Sequence, residues 1–302
     1  MRLLVTGGCG FVGSNFVRYV LQHYGPEMIT NVDSLVTSGL AGVEGIAQEF
    51  GERYEFLRAD VGDADKVDAV LSTHQYFAVV NFTGGSPTGT PGMATLLERA
   101  RQHGVRRFLQ VSSDRVFASA ASGQGSQAAA DALALDAYRS YDQEVVITRA
   151  AGSYGPLQAP TDFIPASIIH ALRDEPLPVP GDGSKMRGWL HVEDHCSAIF
   201  AALLSGEPGT TYPLVYEQKI SDLDVAHAIL EHLGKSRDLI QLNGPATEAG
   251  PGISDEDHLA YKQLEWKPRK HFATALLETV DWYVHNREWW DHDEEEPERI
   301  AL

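Results

Sequence analysis

Thr6-Gly7-Gly8-Cys9-Gly10-Phe11-Val12-Gly13, residues 6–13, decides the fold of this 302-residue chain. The run follows a strand-like apolar stretch, Arg2–Thr6, and opens an amphipathic stretch at 11–24. Each glycine at the 7, 10 and 13 spacing has a separate physical job. Gly7 permits a tight turn, Gly10 leaves room for a pyrophosphate to approach the backbone, and Gly13 lets the helix pack closely on the sheet. The backbone amides around Phe11 and Val12 then face the phosphates with the positive end of the helix dipole. Glycines alone prove little, but here a strand precedes them and a helix follows, as the dinucleotide turn requires.

Working outward, Asp33 ends the second strand-like run, 20 residues after Gly13. A carboxylate there accepts hydrogen bonds from ribose hydroxyls and repels a 2′-phosphate, so the expected cofactor is NAD, not NADP. Ser34 beside it, and Asp60-Val61 after the third strand, are further candidate contacts at the adenosine end. Strands are expected at Arg2–Thr6, Met28–Asp33, Tyr54–Ala59, Phe77–Phe82, Arg107–Ser112 and Glu144–Arg149. Helical patterns lie between them at 11–24, 63–74, 92–103 and 126–141. This alternation predicts an α/β fold of Rossmann type, a doubly wound parallel sheet covered on both faces. In the second half, Pro and Gly cluster at 155–165, 176–183 and 208–213, with helices expected at 165–173, 193–205, 221–233 and 271–286. The predicted division is a dinucleotide-binding domain over 1–155, with 186–205 returning to it, and a smaller C-terminal α/β substrate lobe over 156–302.

The formal net charge is −18. Such a surface repels nucleic acid and anionic membranes, so a small-molecule partner is expected. No long apolar run or leader-like start is present, and only two cysteines, Cys9 and Cys196, occur. A cytoplasmic, reducing setting is the expectation.

Further segments carry a resemblance: NVDSL at 31–35, RADV at 58–61, VSSDRVF at 111–117, SYGP at 153–156, FIPASIIHALRDEPLPVPGDGSKMRGWLHVEDHCSAI at 163–199 and LEWKPRKHFATALLETVDWYVHNREWW at 264–290. With the opening MRLLVTGGCGFVGSNFVRYVL they resemble the extended short-chain dehydrogenase/reductase family, the NAD-dependent epimerases and dehydratases, and within it the dTDP-glucose 4,6-dehydratase branch. The resemblance implies that Gly7, Gly10, Gly13, Asp33 and Asp60 hold NAD. It implies that Ser113 touches the reacting region of a nucleotide-linked sugar and that Asp114 stands at the dehydratase's general acid. It places Ser86, the Pro178-Val179-Pro180-Gly181 turn and Arg187 beside the substrate's nucleotide and diphosphate. It also implies a homodimer built on the helix near 126–141.

The chain departs from this pattern where the family's chemistry resides. That family oxidises its substrate with a YxxxK pair, in which Lys lowers the Tyr pKa. None of the eleven tyrosines here has a lysine four residues later. Keeping the flanking motifs in register puts Gly123 and Gln127 at those two places. Arg115 replaces the general-base Glu, Gly250 replaces a second-lobe Arg, and the stretch FTGGSPTGTPG at 82–92 is shortened. Tyr154, at a strand end, is a candidate replacement proton carrier, with a packed aromatic as the alternative. His191 and His195 lie four apart, a spacing a metal can use, although a structural pair near a helix start accounts for them and no metal is expected.

The favoured reading is an NAD-binding enzyme resembling sugar-nucleotide dehydratases and epimerases, a lyase or isomerase with an altered active site. Its proton carriers would be Ser113, Asp114 and Tyr154. A redox-silent lyase or cyclase acting on a natural-product intermediate is one alternative. A non-catalytic NAD-binding partner protein is another.

Overall fold

Leu3-Leu4-Val5, Val79-Val80, Phe108-Leu109 and Val145-Val146-Ile147 are apolar at consecutive positions, so strands carrying them need cover on both faces. The computed structural model describes residues 1–36, 42–83, 89–113, 125–150, 152–245 and 258–291. In chain order the elements are β1 (Arg2–Thr6), α1 (Phe11–His23), β2 (Met28–Asp33), α2 (Ile46–Phe50), β3 (Tyr54–Arg58), α3 (Ala64–Thr73), β4 (Ala78–Asn81), α4 (Gly89–Gln102), β5 (Arg107–Ser113), α5 (Gly125–Tyr141), β6 (Glu144–Ala150) and β7 (Ser153–Tyr154). They continue with α6 (Phe163–Leu172), β8 (Leu177–Pro180), β9 (Met186–Gly188), β10 (Leu190–His191), α7 (Val192–Ser205), β11 (Thr211–Leu214), β12 (Lys219–Ser221), α8 (Asp222–His232), β13 (Ile240–Asn243), α9 (Leu259–Gln263), α10 (Phe272–His285) and α11 (Arg287–Trp290).

Two compact units result: Met1–Tyr154 with Gly188–Lys219 and Pro251–His271, and Gly155–Arg187 with Ile220–Gly250 and Phe272–Leu302. The return to the first unit thus runs further than 186–205. It includes β11, which adds a seventh strand beside β6. The sequence analysis places most of β11 within the 208–213 cluster of Pro and Gly, and Pro213 sits in the strand. A sheet edge tolerates a proline, since one side of the strand needs no ladder donor.

The seven-stranded sheet of the first unit has the order β11-β6-β5-β4-β1-β2-β3, and its strand pairs are parallel. The chain winds one way from β1 through β2 to β3 and the other way from β4 to β6, so the strand order reverses between β1 and β4. Alternate residues of β1 face opposite sides. Leu3 and Val5 pack with Phe16, Val17 and Val20 of α1 and with Ile199 and Leu203 of α7. Leu4 packs with Val67, Leu96 and Ala134 from α3, α4 and α5. Burying each such side chain contributes about 1.5–3 kcal/mol relative to exposure.

In the second unit, Leu177 and Val179 of β8 point inward while Pro178 and Pro180 are exposed. The strand pairs in parallel with β13, and α6 packs on α8 and α10. Tyr283 of α10 is fully buried and donates its hydroxyl to the Gln158 carbonyl at 2.6 Å. Among the described residues no helix is long and apolar enough to cross a membrane.

Candidate functional site

The turn between β1 and α1 has the conformation its glycines predict. Gly7 adopts φ +73°, donates its N–H to the Val32 carbonyl at 2.9 Å, and receives the Gly10 N–H at 3.3 Å. A Cβ on Gly13 would lie 2.5 Å from the Gly7 oxygen and 2.8 Å from the Gly8 Cα, so this glycine lets α1 press against the turn. A Cβ on Gly10 would meet nothing nearer than the Gly7 oxygen at 3.5 Å, which leaves the space outside Gly10 open to a ligand. Gly8 was not assigned a role from sequence, yet a Cβ there would strike Asn31 Oδ1 at 2.2 Å. Asn31, fully buried, also donates to Tyr54 Oη at 3.0 Å and to Cys9 Sγ at 3.6 Å, bracing the turn from beneath. Burial pushes the Cys9 thiol up to about 12, with the Asp33 charge adding to the effect, so it stays protonated and is a filler, not a nucleophile.

Asp33 ends β2 beside this turn. One carboxylate oxygen accepts the Cys9 N–H at 3.0 Å and the other the Leu35 N–H at 2.8 Å, which fixes the carboxylate at the strand end. Ser34 is half-buried next to it. Asp60 Oδ1 accepts the Gly62 N–H at 2.8 Å in the turn leading to α3. The Val61 side chain is buried among α3 and α4 residues, which leaves the backbone of this residue to face a ligand. The turn, with an open approach at Gly10 and a carboxylate held at the neighbouring strand end, fits the pyrophosphate and ribose of NAD.

Asn81 joins this region to the next strand. Its Oδ1 accepts from Thr6 Oγ1 at 2.6 Å, from Thr83 Oγ1 at 2.7 Å and from the Thr83 N–H at 3.2 Å, while its Nδ2 donates to Gln110 Oε1 at 2.7 Å. Thr6, Asn81 and Gln110 are register partners on β1, β4 and β5, so a buried polar row crosses the point where strand order reverses. Polar residues inside otherwise apolar strands were the available signal, and sequence reading did not use it.

At the end of β5, Ser113 donates its hydroxyl to Gln127 Oε1 on α5 at 2.8 Å. Gln127, which the sequence analysis expects at the lysine of the YxxxK pair, is thus brought to the serine. One turn further along α5, Asp131 accepts from Ser112 Oγ at 2.8 Å and from Arg149 Nη2 at 2.9 Å. Burial raises the Asp131 pKa, opposed by the Arg149 and Ser112 hydrogen bonds. Ser112 and Arg149 are themselves register partners, so this buried group locks α5 to the ends of β5 and β6.

Other candidates are placed elsewhere. Tyr154 is 1% exposed, edge-on to His191 at 5.3 Å and to Trp189 at 6.4 Å, and is a packed aromatic instead of a cleft proton carrier. His191 caps α7 by accepting the Glu193 N–H. His195 Nδ1 lies 2.9 Å from Ser153 Oγ, and burial lowers its pKa to about 4, so the imidazole is neutral. Among the described residues no group of three His, Cys, Asp or Glu side chains could hold a metal. In the second unit, Arg187 pairs with fully buried Asp222 through Nε at 2.7 Å and Nη2 at 2.9 Å, which matches its charge without a phosphate. The expected turn at Val179 is instead strand β8, with the Val179 side chain wholly buried. Asp114, Ser86, Arg115, Gly123 and Gly250 lie outside the described residues.

Known proteins resemble this chain along nearly its whole length. Residues 3–214 match the model of the NAD dependent epimerase/dehydratase family. A dTDP-glucose 4,6-dehydratase of Streptomyces niveus is 34% identical, over 96% of this chain and 95% of that protein. The crystal structure of dTDP-glucose 4,6-dehydratase from Bacillus anthracis in complex with NAD superposes with a TM-score of 0.88 at 33% identity, over 96% of this chain and 99% of the other. One from Streptomyces venezuelae gives 0.86 at 30% identity, with the same coverage. The glycine turn, the strand order reversing beside it and this likeness along nearly the whole chain agree, and the chain belongs to the NAD dependent epimerase/dehydratase family.

Proposed function

We propose that this chain binds NAD and a nucleotide-linked sugar, and that its proton chemistry differs from that of the dTDP-glucose 4,6-dehydratases it is similar to. Gly7, Gly10, Gly13 and the amides of Phe11 and Val12 hold the pyrophosphate. Asp33 accepts the ribose hydroxyls, and Asp60 with the Val61 backbone borders the adenine. Bound there, NAD supplies a hydride acceptor. Ser113 and Gln127 border the sugar at the end of β5, where ligands sit in open parallel sheets. Asp114 continues the same segment and is the acid or base this reading gives the site.

The observation that carries the reading is the 2.8 Å hydrogen bond from Ser113 Oγ to Gln127 Oε1. A carboxamide neither takes nor gives a proton near neutral pH, so it cannot depress a neighbouring phenol or accept a hydroxyl proton as a hydride departs. Burial of Tyr154 speaks against the tyrosine that the sequence analysis offers as a substitute and supports a second reading, a lyase step without net or transient redox change.

The test is calorimetric titration with NAD, then with dTDP-glucose, while a 4-keto product is followed by its absorbance in alkali. Binding of both ligands without keto product supports the reading. Keto product formed at ordinary enzymatic rates, about 1–1000 s⁻¹, would show intact dehydratase chemistry and refute it.

A further inference from the structure

Tyr216, Glu217 and Gln218, in the connection from β11 to β12, share a cavity of about 360 Å³ with Tyr261 of α9 and with Lys267 and Pro268 beyond it. All six residues belong to the first unit, and none of them takes part in the glycine turn or the polar groups at the ends of β5 and β6. The volume falls within the range of small-molecule sites, about 300–1,000 Å³. The walls are held by contacts within the protein. Tyr261 donates its hydroxyl to the Val215 carbonyl at 2.9 Å. A Cβ on Gly188 would lie 2.6 Å from the Tyr216 oxygen, so this glycine lets the connection lie directly against β9. Buried Asp194 accepts the Arg269 and Lys270 N–H groups, each at 2.9 Å, and so anchors the segment that carries Lys267 and Pro268.

The charges around this cavity do not cancel each other. Lys267 and Glu217 both line it, yet Glu217 Oε1 pairs with His258 at 3.7 Å, and among the described residues Lys267 pairs with no carboxylate. Lys267 and Glu217 are exposed, while Tyr216, Tyr261 and Pro268 are half-buried. Two opposite charges therefore stand apart over an aromatic lining. A ligand with one charge satisfies one of them and is repelled by the other, whereas a ligand with both charges satisfies both. Tyrosine faces attract an ammonium group and pack against a ring. We propose that this cavity binds a small zwitterion with an aromatic body, of the α-amino-acid type, with its carboxylate at Lys267 and its ammonium at Glu217. The site is separate from the NAD and sugar contacts given above and does not depend on them.

The test uses the full chain and ligand-observed NMR titration with L-phenylalanine, 3-phenylpropanoate and 2-phenylethylamine, which share a ring and differ in charge. L-phenylalanine is expected to bind with a Kd near about 1 mM, and about fivefold more tightly than either singly charged probe. Lys267→Gln should weaken L-phenylalanine to the level of the amine without weakening the amine itself. Glu217→Gln should weaken it to the level of the propanoate without weakening the propanoate. Both side chains are exposed, and an unchanged melting temperature confirms that each variant is folded. Equal binding of the three probes, or no saturation by L-phenylalanine up to about 10 mM, overturns the proposal. A wild-type preference for L-phenylalanine that survives in either variant overturns it as well.

Discussion

Substituting Gly10 by alanine separates a glycine kept for the ligand from one kept for the fold. Gly10 has φ −72° and ψ 171°, a conformation open to any residue, and an added Cβ would meet only the Gly7 oxygen at 3.5 Å, ordinary van der Waals distance. The ligand-free protein therefore accepts Gly10→Ala with a stability change within about 0.5 kcal/mol. The methyl instead stands in the space through which a pyrophosphate would reach the amides at the start of α1. Pushing the phosphate back costs one or two hydrogen bonds to a charged group, about 1.5–3 kcal/mol each, or roughly 10- to 150-fold in Kd for the first. Gly13→Ala is the matched control. Its Cβ falls 2.5 Å from the Gly7 oxygen, so α1, with buried Phe16, Val17 and Val20, must move off the turn. Overpacking of this kind costs about 1–3 kcal/mol of stability before any ligand is added. Urea denaturation measures the first quantity and NAD calorimetry the second. An NAD affinity for Gly10→Ala within twofold of wild type would refute the assignment of the turn to the pyrophosphate.

Asp33→Asn removes the charge and keeps an acceptor for only one of the two backbone N–H groups the carboxylate holds, so NAD should weaken by about tenfold and the discrimination against NADP should shrink, as read by paired titrations. His195 is neutral when folded, with a pKa lowered to about 4 by burial, while the unfolded side chain protonates near the ordinary histidine value of about 6.5. The unfolded state therefore binds more protons between those values, and stability is full above about pH 6.5 and declines as pH falls toward 4, by about 3 kcal/mol. His195→Asn should flatten this part of the urea-unfolding profile, and an unchanged slope would exclude His195 as its source. Arg187→Met leaves the buried Asp222 carboxylate without its cation and should destabilise by about 3–5 kcal/mol in thermal or urea unfolding, which a purely ligand-directed arginine would not do.

Sequence and structure agree most closely where the backbone itself makes the feature. Apolar runs at Leu3-Leu4-Val5 and Val145-Val146-Ile147 announce buried parallel strands because neither face is free for polar residues. The glycines at 7, 10 and 13 announce their turn because a side chain would alter it, as the 2.5 Å approach at Gly13 makes concrete. Features made by side-chain pairing across distant segments leave no such local trace. Asp222 lies 35 residues from the Arg187 it neutralises, and Asn81 lies 75 from the Thr6 whose hydroxyl it accepts. A proline in β11 obscured an edge strand for the converse reason, since edge position is a property of the sheet and not of the tetrapeptide. The Ser113–Gln127 pair belongs to both classes. Its members are 14 residues apart, and only a register carried over from related chains put Gln127 at a site position at all. The hydrogen bond between them makes that substitution a chemical statement, because a carboxamide that accepts from Ser113 has no proton to give or take near neutral pH.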